Sequence, residues 1–148
     1  MNLARSKRES VELMTRMLNS GPCIALISEP PPKVNLAKNL KIFKSSDSRA
    51  IVVTHLLDVQ FDEMLSFKDF TVVRIHDGKD NLYIVSIYCP PLDTTSLERA
   101  LAKVASIAGS NVIFAAGDLN ARHRSWDKKS NQHGNVLRDF IDRNDLSL

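Results

Sequence analysis

The spacing of apolar residues along the chain changes between a helical period and the short apolar runs typical of strands. Helical spacing predicts helices over residues 6–21, 95–110 and 135–143. The first two helices open with Ser6–Glu9 and Thr95–Glu98, which have the spacing of a capping box. The apolar faces that we expect to be buried carry Val11, Met14, Leu18, Leu97, Leu101, Val104 and Ala108.

Apolar runs predict strands over residues 23–28, 49–55, 70–76, 82–88 and 111–118. The runs at 23–28 and 111–118 are continuous rather than alternating, which predicts strands that are covered on both faces. Residues 77–81, "DGKDN", have the composition of a hairpin turn between two strands. Residues 146–148 have the pattern of the opening of another strand. Together these elements predict an α/β fold with a mixed sheet.

Composition limits the class of protein. The chain has 148 residues, of which 43% are hydrophobic and 25% are charged, so it can form a globular core and is neither disordered nor fibrous. No linker, internal repeat or low-complexity tract divides it. We therefore predict one domain over residues 1–148.

Basic residues are concentrated in two segments of the sequence. The segment 33–49 carries five basic residues against one acid, and the segment 122–129 carries four against one. The whole chain has 20 Lys and Arg against 17 Asp and Glu, so the excess is local. Such segments are either solvated loops or a surface that contacts the phosphates of a polyanion.

The N-terminal segment and the cysteines bear on where the protein is found. Residues 1–20 carry charges throughout and lack the apolar core of a signal peptide, and no apolar run is long enough to cross a membrane. Cys23 and Cys89 then indicate free thiols near the core rather than a disulfide framework. We expect an intracellular protein, nuclear or cytoplasmic, without a membrane partner.

Polar side chains occur where three predicted strands end. Glu29, Tyr88 and Asp118 each close or follow an apolar run, and strand ends of α/β folds converge on one crevice. Glu29 offers the hard oxygen ligand that Mg²⁺ prefers, although a salt bridge or a helix cap would use the same carboxylate. Tyr88 has the chemistry to donate a hydrogen bond to a phosphoryl oxygen, and packing is its alternative role.

Asp118 and Asn120 form a second candidate pair. They alternate along one stretch, so an extended chain would point both side chains to the same side, where they could hold a water and a phosphate oxygen. An Asx turn is the alternative for this pair. His123 is a weaker candidate, because a single loop histidine is usually solvated and no zinc-site spacing is present. The residues alone thus predict a metal-assisted phosphate site.

Four motifs occur in a fixed order: "LISEP", "IYCPP", "GDLNARHRSW" and "NQHGNVL". In this order and at these separations they resemble the endonuclease domain of non-LTR retrotransposons, in the endonuclease/exonuclease/phosphatase superfamily, and the resemblance extends from Asn2 to Leu148. It implies a two-sheet α/β sandwich and a DNA-nicking activity that depends on Mg²⁺ or Mn²⁺. It also implies a parent polyprotein in which a reverse transcriptase domain follows the endonuclease.

The resemblance implies roles for individual residues. Asn2 and Glu29 match the pair beside the metal, and Tyr88 matches a tyrosine that contacts the scissile phosphate. Asp118 and Asn120 match the acid and amide of a "GDFN"-like motif, in which the acid positions the attacking water. The loop that follows is expected to bind DNA through Arg122, His123, Arg124 and Trp126. The usual continuation of that loop is matched by Asn131, Gly134 and Leu137.

The chain also departs from the family pattern. Pro31 and Leu119 stand where many relatives carry an aromatic residue. The family completes its site with a later acid and an Asp-His pair in an "SDH"-like motif, which the sequence to Leu148 does not contain. We therefore expect a C-terminally truncated fragment with little activity alone, or a decayed copy that at most binds DNA. Another enzyme of the superfamily, such as a phosphoinositide phosphatase, is an alternative, although "NARHRSW" favours the retrotransposon branch.

Overall fold

The computed structural model describes residues 1–32, 39–55, 60–76 and 81–148. Within them the helices are α1 (Lys7–Asn19), α2 (Thr94–Ala108) and α3 (Gln132–Arg143). The strands are β1 (Cys23–Ser28), β2 (Lys41–Lys44), β3 (Ala50–His55), β4 (Gln60–Ser66), β5 (Phe70–His76), β6 (Asn81–Tyr88) and β7 (Val112–Asp118). Across the described ranges, no helix has both the length and the apolar character needed to span a membrane.

The strands form two sheets that pack face to face. The first sheet has the order β1–β3–β2 and is antiparallel. The second has the order β4–β5–β6–β7 and is antiparallel except for the parallel pair β6–β7. The apolar layer between the sheets includes Leu26 and Val52 from the first sheet, and Val73, Ile75 and Ile84 from the second. This arrangement is the two-sheet α/β sandwich that the family resemblance implied.

Helices cover the outer faces of both sheets. Helix α1 packs Met14 and Met17 on the outer side of the first sheet, against residues such as Val53. Helix α2 packs Leu97 and Leu101 on the second sheet, and α3 adds partly buried apolar residues beside them. All four residues expected on the apolar face of α2 are buried, which confirms that prediction.

The first two helices begin differently from each other. Ser6 caps α1 as predicted, because its Oγ accepts a hydrogen bond from the Glu9 backbone N–H at 3.3 Å. The other half of the predicted capping box does not form, since the Ser6 N–H donates to the Leu3 carbonyl at 2.8 Å. Helix α2 is capped by Asp93 rather than by Thr95, since the Asp93 carboxylate accepts a hydrogen bond from the Ser96 backbone N–H at 3.0 Å. The hydrogen bonds from Ser96 also lower the pKa of Asp93.

Other elements differ from the sequence expectation in position or burial. Strands β2 and β4 were not predicted, because polar residues interrupt their apolar pattern, and α3 begins earlier than expected because Asn131 caps it. Strand β7 is an edge strand of its sheet, and it is not covered on both faces as predicted, since Val112 and Phe114 are 65% and 59% exposed. Val11 of α1 is also exposed rather than buried. Residues 146–148 form no strand.

Two buried serine hydroxyls join the sheets where their strands end. Ser28 Oγ donates to the Ile87 carbonyl at 3.2 Å and accepts from the Asp118 backbone N–H at 3.0 Å. Ser86 Oγ donates to the Ile27 carbonyl at 3.2 Å. Both serines are fully buried, so these bonds form away from water. They hold the end of β1 against the ends of β6 and β7.

Strands β6 and β7 approach each other closely at Gly117. A Cβ atom at this position would lie 1.8 Å from the Ile87 carbonyl oxygen, so only glycine fits without a backbone shift. The next residue, Asp118, is the register partner of Tyr88. The close approach therefore sets two of the candidate side chains side by side.

Candidate active site at the strand ends

The side chain of Asn2 joins the carboxylates that follow β1 and end β7. Its Nδ2 donates a hydrogen bond to Glu29 Oε2 at 3.2 Å and another to Asp118 Oδ2 at 2.6 Å. Three residues that the sequence singled out from distant positions are therefore in direct contact. The contact depends on the approach of β1 to β7, because Glu29 follows the first sheet and Asp118 belongs to the second.

The backbone around Asn2 determines which end of its amide faces the carboxylates. Asn2 forms a parallel bridge with Ser28, and the Leu3 backbone N–H donates to the Ser28 carbonyl at 2.9 Å. The Ala4 backbone N–H donates to Asn2 Oδ1 at 2.7 Å, so the amide nitrogen is left to face the acids. A metal ligand would have to present its oxygen instead. The expected place of Asn2 at the metal stays a prediction.

Asp118 and Asn120 form a turn rather than an extended stretch. Asn120 has a φ of 49°, and its backbone N–H donates to Asp118 Oδ1 at 3.2 Å, as in an Asx turn. Its Nδ2 donates to the Cys89 carbonyl at 2.9 Å. The expectation of an extended chain at this pair is therefore wrong, because the left-handed backbone turns at Asn120. The turn instead fixes one oxygen of Asp118 and leaves the other to Asn2.

Tyr88 lies beside these acids with its side chain buried. Its backbone N–H donates to the Asp69 carbonyl at 2.8 Å, and the guanidinium carbon of Arg49 lies 4.9 Å from the centre of its ring. Burial and the neighbouring Glu29 carboxylate raise the pKa of the Tyr88 phenol. The hydroxyl therefore keeps its proton at neutral pH and is a hydrogen-bond donor there.

Glu29 is held in an uncommon backbone conformation. Its φ is 49°, in the left-handed region that residues other than glycine, asparagine and aspartate rarely adopt. Its backbone N–H donates to the Arg49 carbonyl at 2.7 Å, which ties it to the start of β3. Left-handed residues thus occur at both Glu29 and Asn120, and such strain is tolerated where neighbouring contacts fix the backbone.

The donor set suits a hard divalent cation. Glu29 and Asp118 bring two carboxylates to one amide group, and the repulsion between like charges is relieved when a cation lies near both. Mg²⁺ binds to one or two protein carboxylates when water and a substrate phosphate complete its shell. In the described ranges of the chain, no group of three or more His, Cys, Asp and Glu residues could hold a metal. The residues fit an open site of the magnesium type better than a closed structural one.

Cys89 follows β6 and is the thiol nearest this site. Burial, followed by the charges of Asp93 and Asp69, raises the pKa of the Cys89 thiol to about 11. The thiol is therefore protonated at neutral pH and is a poor nucleophile. Cys23 and Cys89 are both free cysteines, as expected from the sequence.

The loop after β7 carries the residues expected to bind DNA. Trp126 Nε1 donates to the Ala121 carbonyl at 3.1 Å, and the rings of Trp126 and His123 lie 5.0 Å apart. These two rings are half-buried, whereas Arg122 and Arg124 are exposed. The loop therefore has a packed aromatic side and a cationic side that faces solvent.

Asn131 and Gly134 fix this loop against the start of α3. Asn131 Oδ1 accepts from the backbone N–H groups of Arg122 at 2.9 Å and Gly134 at 2.8 Å, and its Nδ2 donates to the Asn120 carbonyl at 2.8 Å. A Cβ atom on Gly134 would lie 1.8 Å from the Arg122 carbonyl oxygen. The asparagine and the glycine of the "NQHGNVL" motif thus have structural roles.

A cavity connects the strand ends with the basic loop. Its volume is about 400 Å³, and its lining includes Asp118, Asn120, Arg122 and Trp126. A polyanion bound by the loop would therefore extend toward the carboxylates. Asp118 lines this cavity and also contacts Asn2 at the strand ends.

In the described part of the other basic segment, residues 39–49, one of the three basic residues is paired with acids. Arg49 makes ion pairs with Asp47 and with Asp69, the latter at 2.6 Å, so its charge is neutralised. The exposed basic residues of this segment in the described ranges are Lys41 and Lys44. Lys33 and Lys38 lie outside the described residues.

Comparison with known proteins finds a family match for the C-terminal part of the chain and matches of the fold to solved structures. Residues 82–148 match the sequence model of a family described as endonuclease-reverse transcriptase. The structure matches the endonuclease domain of TRAS1, a telomere-specific non-LTR retrotransposon, with a TM-score of 0.85 and 24% identity over 97% of this chain and 68% of that one. A search of curated proteins found no match.

Two TDP2 structures are also similar. Humanized TDP2 from D. rerio, carrying 14 mutations, matches with a TM-score of 0.66 and 15% identity over 83% of this chain and 61% of that one. TDP2 from Caenorhabditis elegans matches with a TM-score of 0.60 and 14% identity over 86% of this chain and 47% of that one. Together with the TRAS1 match, they confirm the two-sheet sandwich fold that the resemblance implied.

Two residues that hold the site together were not predicted from the sequence. Ser28 lies within β1, and its only signal is a hydroxyl at the end of an apolar run, where a buried polar group needs partners. Arg49 was counted as part of a basic segment, because the sequence does not show that Asp69 and Tyr88 lie beside it.

We expect Ser28→Ala to destabilise the protein more than Ser86→Ala, although both remove one buried hydroxyl. Ser86→Ala removes one hydrogen bond, worth about 1 kcal/mol, whereas Ser28→Ala also leaves the Asp118 N–H without its acceptor, for a total of about 2–3 kcal/mol. Chemical denaturation measures the two free energies of unfolding. Equal losses would mean that the bond from Asp118 to Ser28 contributes nothing.

Proposed function

We propose that this chain, which resembles non-LTR retrotransposon endonucleases in its motifs and has their type of fold, is a DNA endonuclease domain that depends on Mg²⁺ or Mn²⁺. The observation that carries the proposal is the contact of Asn2 with both Glu29 and Asp118, beside Tyr88 and next to an exposed basic loop. The match of residues 82–148 to the endonuclease-reverse transcriptase family supports it.

The metal would be held by Glu29, with Asn2 beside it and Asp118 within the same hydrogen-bonded group. When bound, it would neutralise charge on the phosphate and on the leaving oxygen. Asn2 keeps the two carboxylates aligned through its amide nitrogen. This alignment is fixed before substrate binds, because Ala4 and Ser28 hold Asn2 through the backbone.

The other strand-end residues would act on the attacking water and on the scissile phosphate. Asp118 would accept a hydrogen bond from the attacking water and orient it, while Asn120 fixes one oxygen of that carboxylate through its backbone N–H. Tyr88 would donate its hydroxyl proton in a hydrogen bond to a phosphoryl oxygen. The raised pKa of its phenol keeps that donor protonated throughout the neutral range.

The basic loop would supply affinity for the DNA backbone. Arg122 and Arg124 are exposed and would contact phosphates, which gives affinity without reading sequence. His123 and Trp126 offer ring faces for contact with a base or a sugar. The cavity that joins the loop to Asp118 would place the phosphodiester near the carboxylates.

The setting of the domain forms part of the proposal. We propose that residues 1–148 belong to one endonuclease domain of a nuclear or cytoplasmic polyprotein that also contains a reverse transcriptase. The chain spans 68% of the TRAS1 endonuclease chain that it matches. We expect the 148-residue chain to nick slowly by itself, because the later acid and the Asp-His pair of the family pattern are not among its residues, and catalytic groups act as a unit.

A second candidate is another hydrolase of the same superfamily. The similarity to the two TDP2 structures favours it, since these proteins share the sandwich without being retrotransposon domains by name. Incubation with supercoiled plasmid tests the endonuclease against its alternatives. Conversion to open circles with Mg²⁺ but not with EDTA supports the endonuclease. Plasmid that is bound and not cut supports a remnant that only binds DNA, and plasmid that is neither bound nor cut favours the other hydrolase.

We expect Asp118→Asn to reduce Mg²⁺-dependent plasmid nicking by about a hundredfold, because an amide is a poor acceptor for the proton of an attacking water. DNA binding should change little, since a carboxylate near phosphates contributes no attraction. Gel assays measure nicking, and fluorescence anisotropy with a labelled duplex measures binding. The control is Asp139→Asn, an exposed acid on α3. Nicking that survives in Asp118→Asn would remove Asp118 from the reaction.

We expect Arg124→Ala to weaken DNA binding and to flatten its dependence on salt by about one unit of log–log slope, as loss of one phosphate contact would do. The rate of nicking at saturating DNA should change less than the affinity. Arg16→Ala, on an exposed face of α1, is the matched control. An unchanged salt slope in Arg124→Ala would mean that this side chain does not contact phosphate.

A further inference from the structure

Arg49 is a half-buried arginine whose side chain has three partners next to the site. Its guanidinium makes ion pairs with Asp47 and with Asp69, the latter at 2.6 Å. The guanidinium carbon also lies 4.9 Å from the centre of the Tyr88 ring, in the range of a cation–π contact. A planar group between two carboxylates and an aromatic face has little freedom to rotate.

The backbone connects the same residues. The Arg49 carbonyl accepts a hydrogen bond from the Glu29 N–H at 2.7 Å, and the Asp69 carbonyl accepts one from the Tyr88 N–H at 2.8 Å. Arg49 precedes β3 of the first sheet, whereas Asp69 precedes β5 of the second. One arginine therefore bridges the two sheets and connects the residue that follows β1 with the residue that ends β6.

A direct phosphate contact is a poor explanation of this arrangement. Two carboxylates neutralise the one cation, so the group carries no net positive charge toward a polyanion. The pKa directions differ between the two acids, so the pairing rests on the contacts themselves. Burial raises the pKa of Asp69 even though the Arg49 charge lowers it. Burial raises the pKa of Asp47, but hydrogen bonds from Arg49 outweigh it and leave that pKa lowered. Arg49 also lowers the pKa of the Tyr88 phenol against the effects of burial and Glu29.

We propose that Arg49 is a positioning residue that fixes the Tyr88 ring relative to Glu29 through its contacts with Asp47, Asp69 and the ring face. This inference rests on the proposed function of Tyr88 as a donor to the scissile phosphate. Arg49 itself touches no reacting atom. Its effect is to hold the phenol at one place and angle, and a displacement of about 1 Å at a catalytic group can reduce a rate by about a hundredfold.

Steady-state nicking by the full chain provides the first measurement. Arg49→Lys keeps the charge but loses the planar group, so we expect kcat to fall by about tenfold and KM to stay nearly unchanged. Arg49→Met should lower kcat further, by up to about a hundredfold. The double variant Arg49→Met/Asp69→Asn removes the repulsion between the two acids and should stay folded while remaining slow. A rise in KM with unchanged kcat would overturn positioning in favour of a direct phosphate contact.

The second measurement follows the phenol and needs no activity. The chain has two tyrosines, so Tyr83→Phe makes Tyr88 the single phenol. Isotope labelling of the Tyr88 ring lets nuclear magnetic resonance record its nuclear Overhauser contacts and its rate of ring flipping, while circular dichroism monitors the fold. We expect Arg49→Met/Asp69→Asn to change these contacts and to speed the flipping, because the group that packs on the ring face is gone, and we expect Arg16→Met to leave both as in the parent.

The two measurements separate this inference from the proposed function. A folded Arg49→Met/Asp69→Asn protein whose Tyr88 ring keeps the contacts and the flipping rate of the parent would overturn the role of Arg49. If the parent did not nick with either Mg²⁺ or Mn²⁺, the proposed function would fail, and the ring contacts would still decide whether Arg49 holds the ring.

Discussion

The hydroxyl of Ser28 is the point on which the rest of the site depends. It donates a hydrogen bond to the Ile87 carbonyl of β6 and accepts one from the backbone N–H of Asp118 in β7, so one buried group connects both sheets. The remainder of the site is built outward from this bond, through the Asn2 bridge on one side and the Asn120 turn on the other. A buried hydroxyl with both of its bonds made favours one relative position of the sheets, because any other leaves polar groups without partners.

The hydrogen bond between Ser28 and Asp118 has an electrostatic consequence. By holding β1 beside β7, it places the carboxylates of Glu29 and Asp118 at the side-chain amide of Asn2, although their like charges repel. The surrounding structure maintains this by backbone geometry, with left-handed residues at Glu29 and Asn120. Acids that the fold already holds in place need no further ordering when a cation binds, and the metal dependence that we propose relies on this preorganisation.

The sequence predicted the parts of this structure that depend on local patterns. The apolar face of α2, the capping of α1 by Ser6 and the strand runs that end at Glu29, Tyr88 and Asp118 follow from spacing, and the motifs indicated the sandwich. Contacts between distant residues could not be predicted in the same way. The pairing of Arg49 with Asp69 and the exposure of Phe114 on an edge strand depend on which strands become neighbours, and no local pattern encodes that.

The same limit applies to the turn at Asn120. Two polar residues spaced by two, as Asp118 and Asn120 are, suggest an extended chain. The Asn120 backbone N–H instead donates to Asp118 Oδ1, and its side chain donates to the Cys89 carbonyl, and both hydrogen bonds favour a left-handed turn. The Asx-turn alternative was therefore the correct one. Side chains compete with the backbone for hydrogen bonds at strand ends, and tertiary partners decide the outcome.

The central claim is tested most directly by a Mn²⁺ titration. Binding to the protein is measured as the loss of the electron paramagnetic resonance signal of the free ion. The account predicts that the parent chain binds Mn²⁺, that Mg²⁺ competes for it, and that Glu29→Gln and Asp118→Asn each weaken the binding. Asp127→Asn, an acid of the neighbouring loop, should bind as the parent does. Binding that is unchanged in both Glu29→Gln and Asp118→Asn would contradict the claim that the strand ends form a metal-dependent centre.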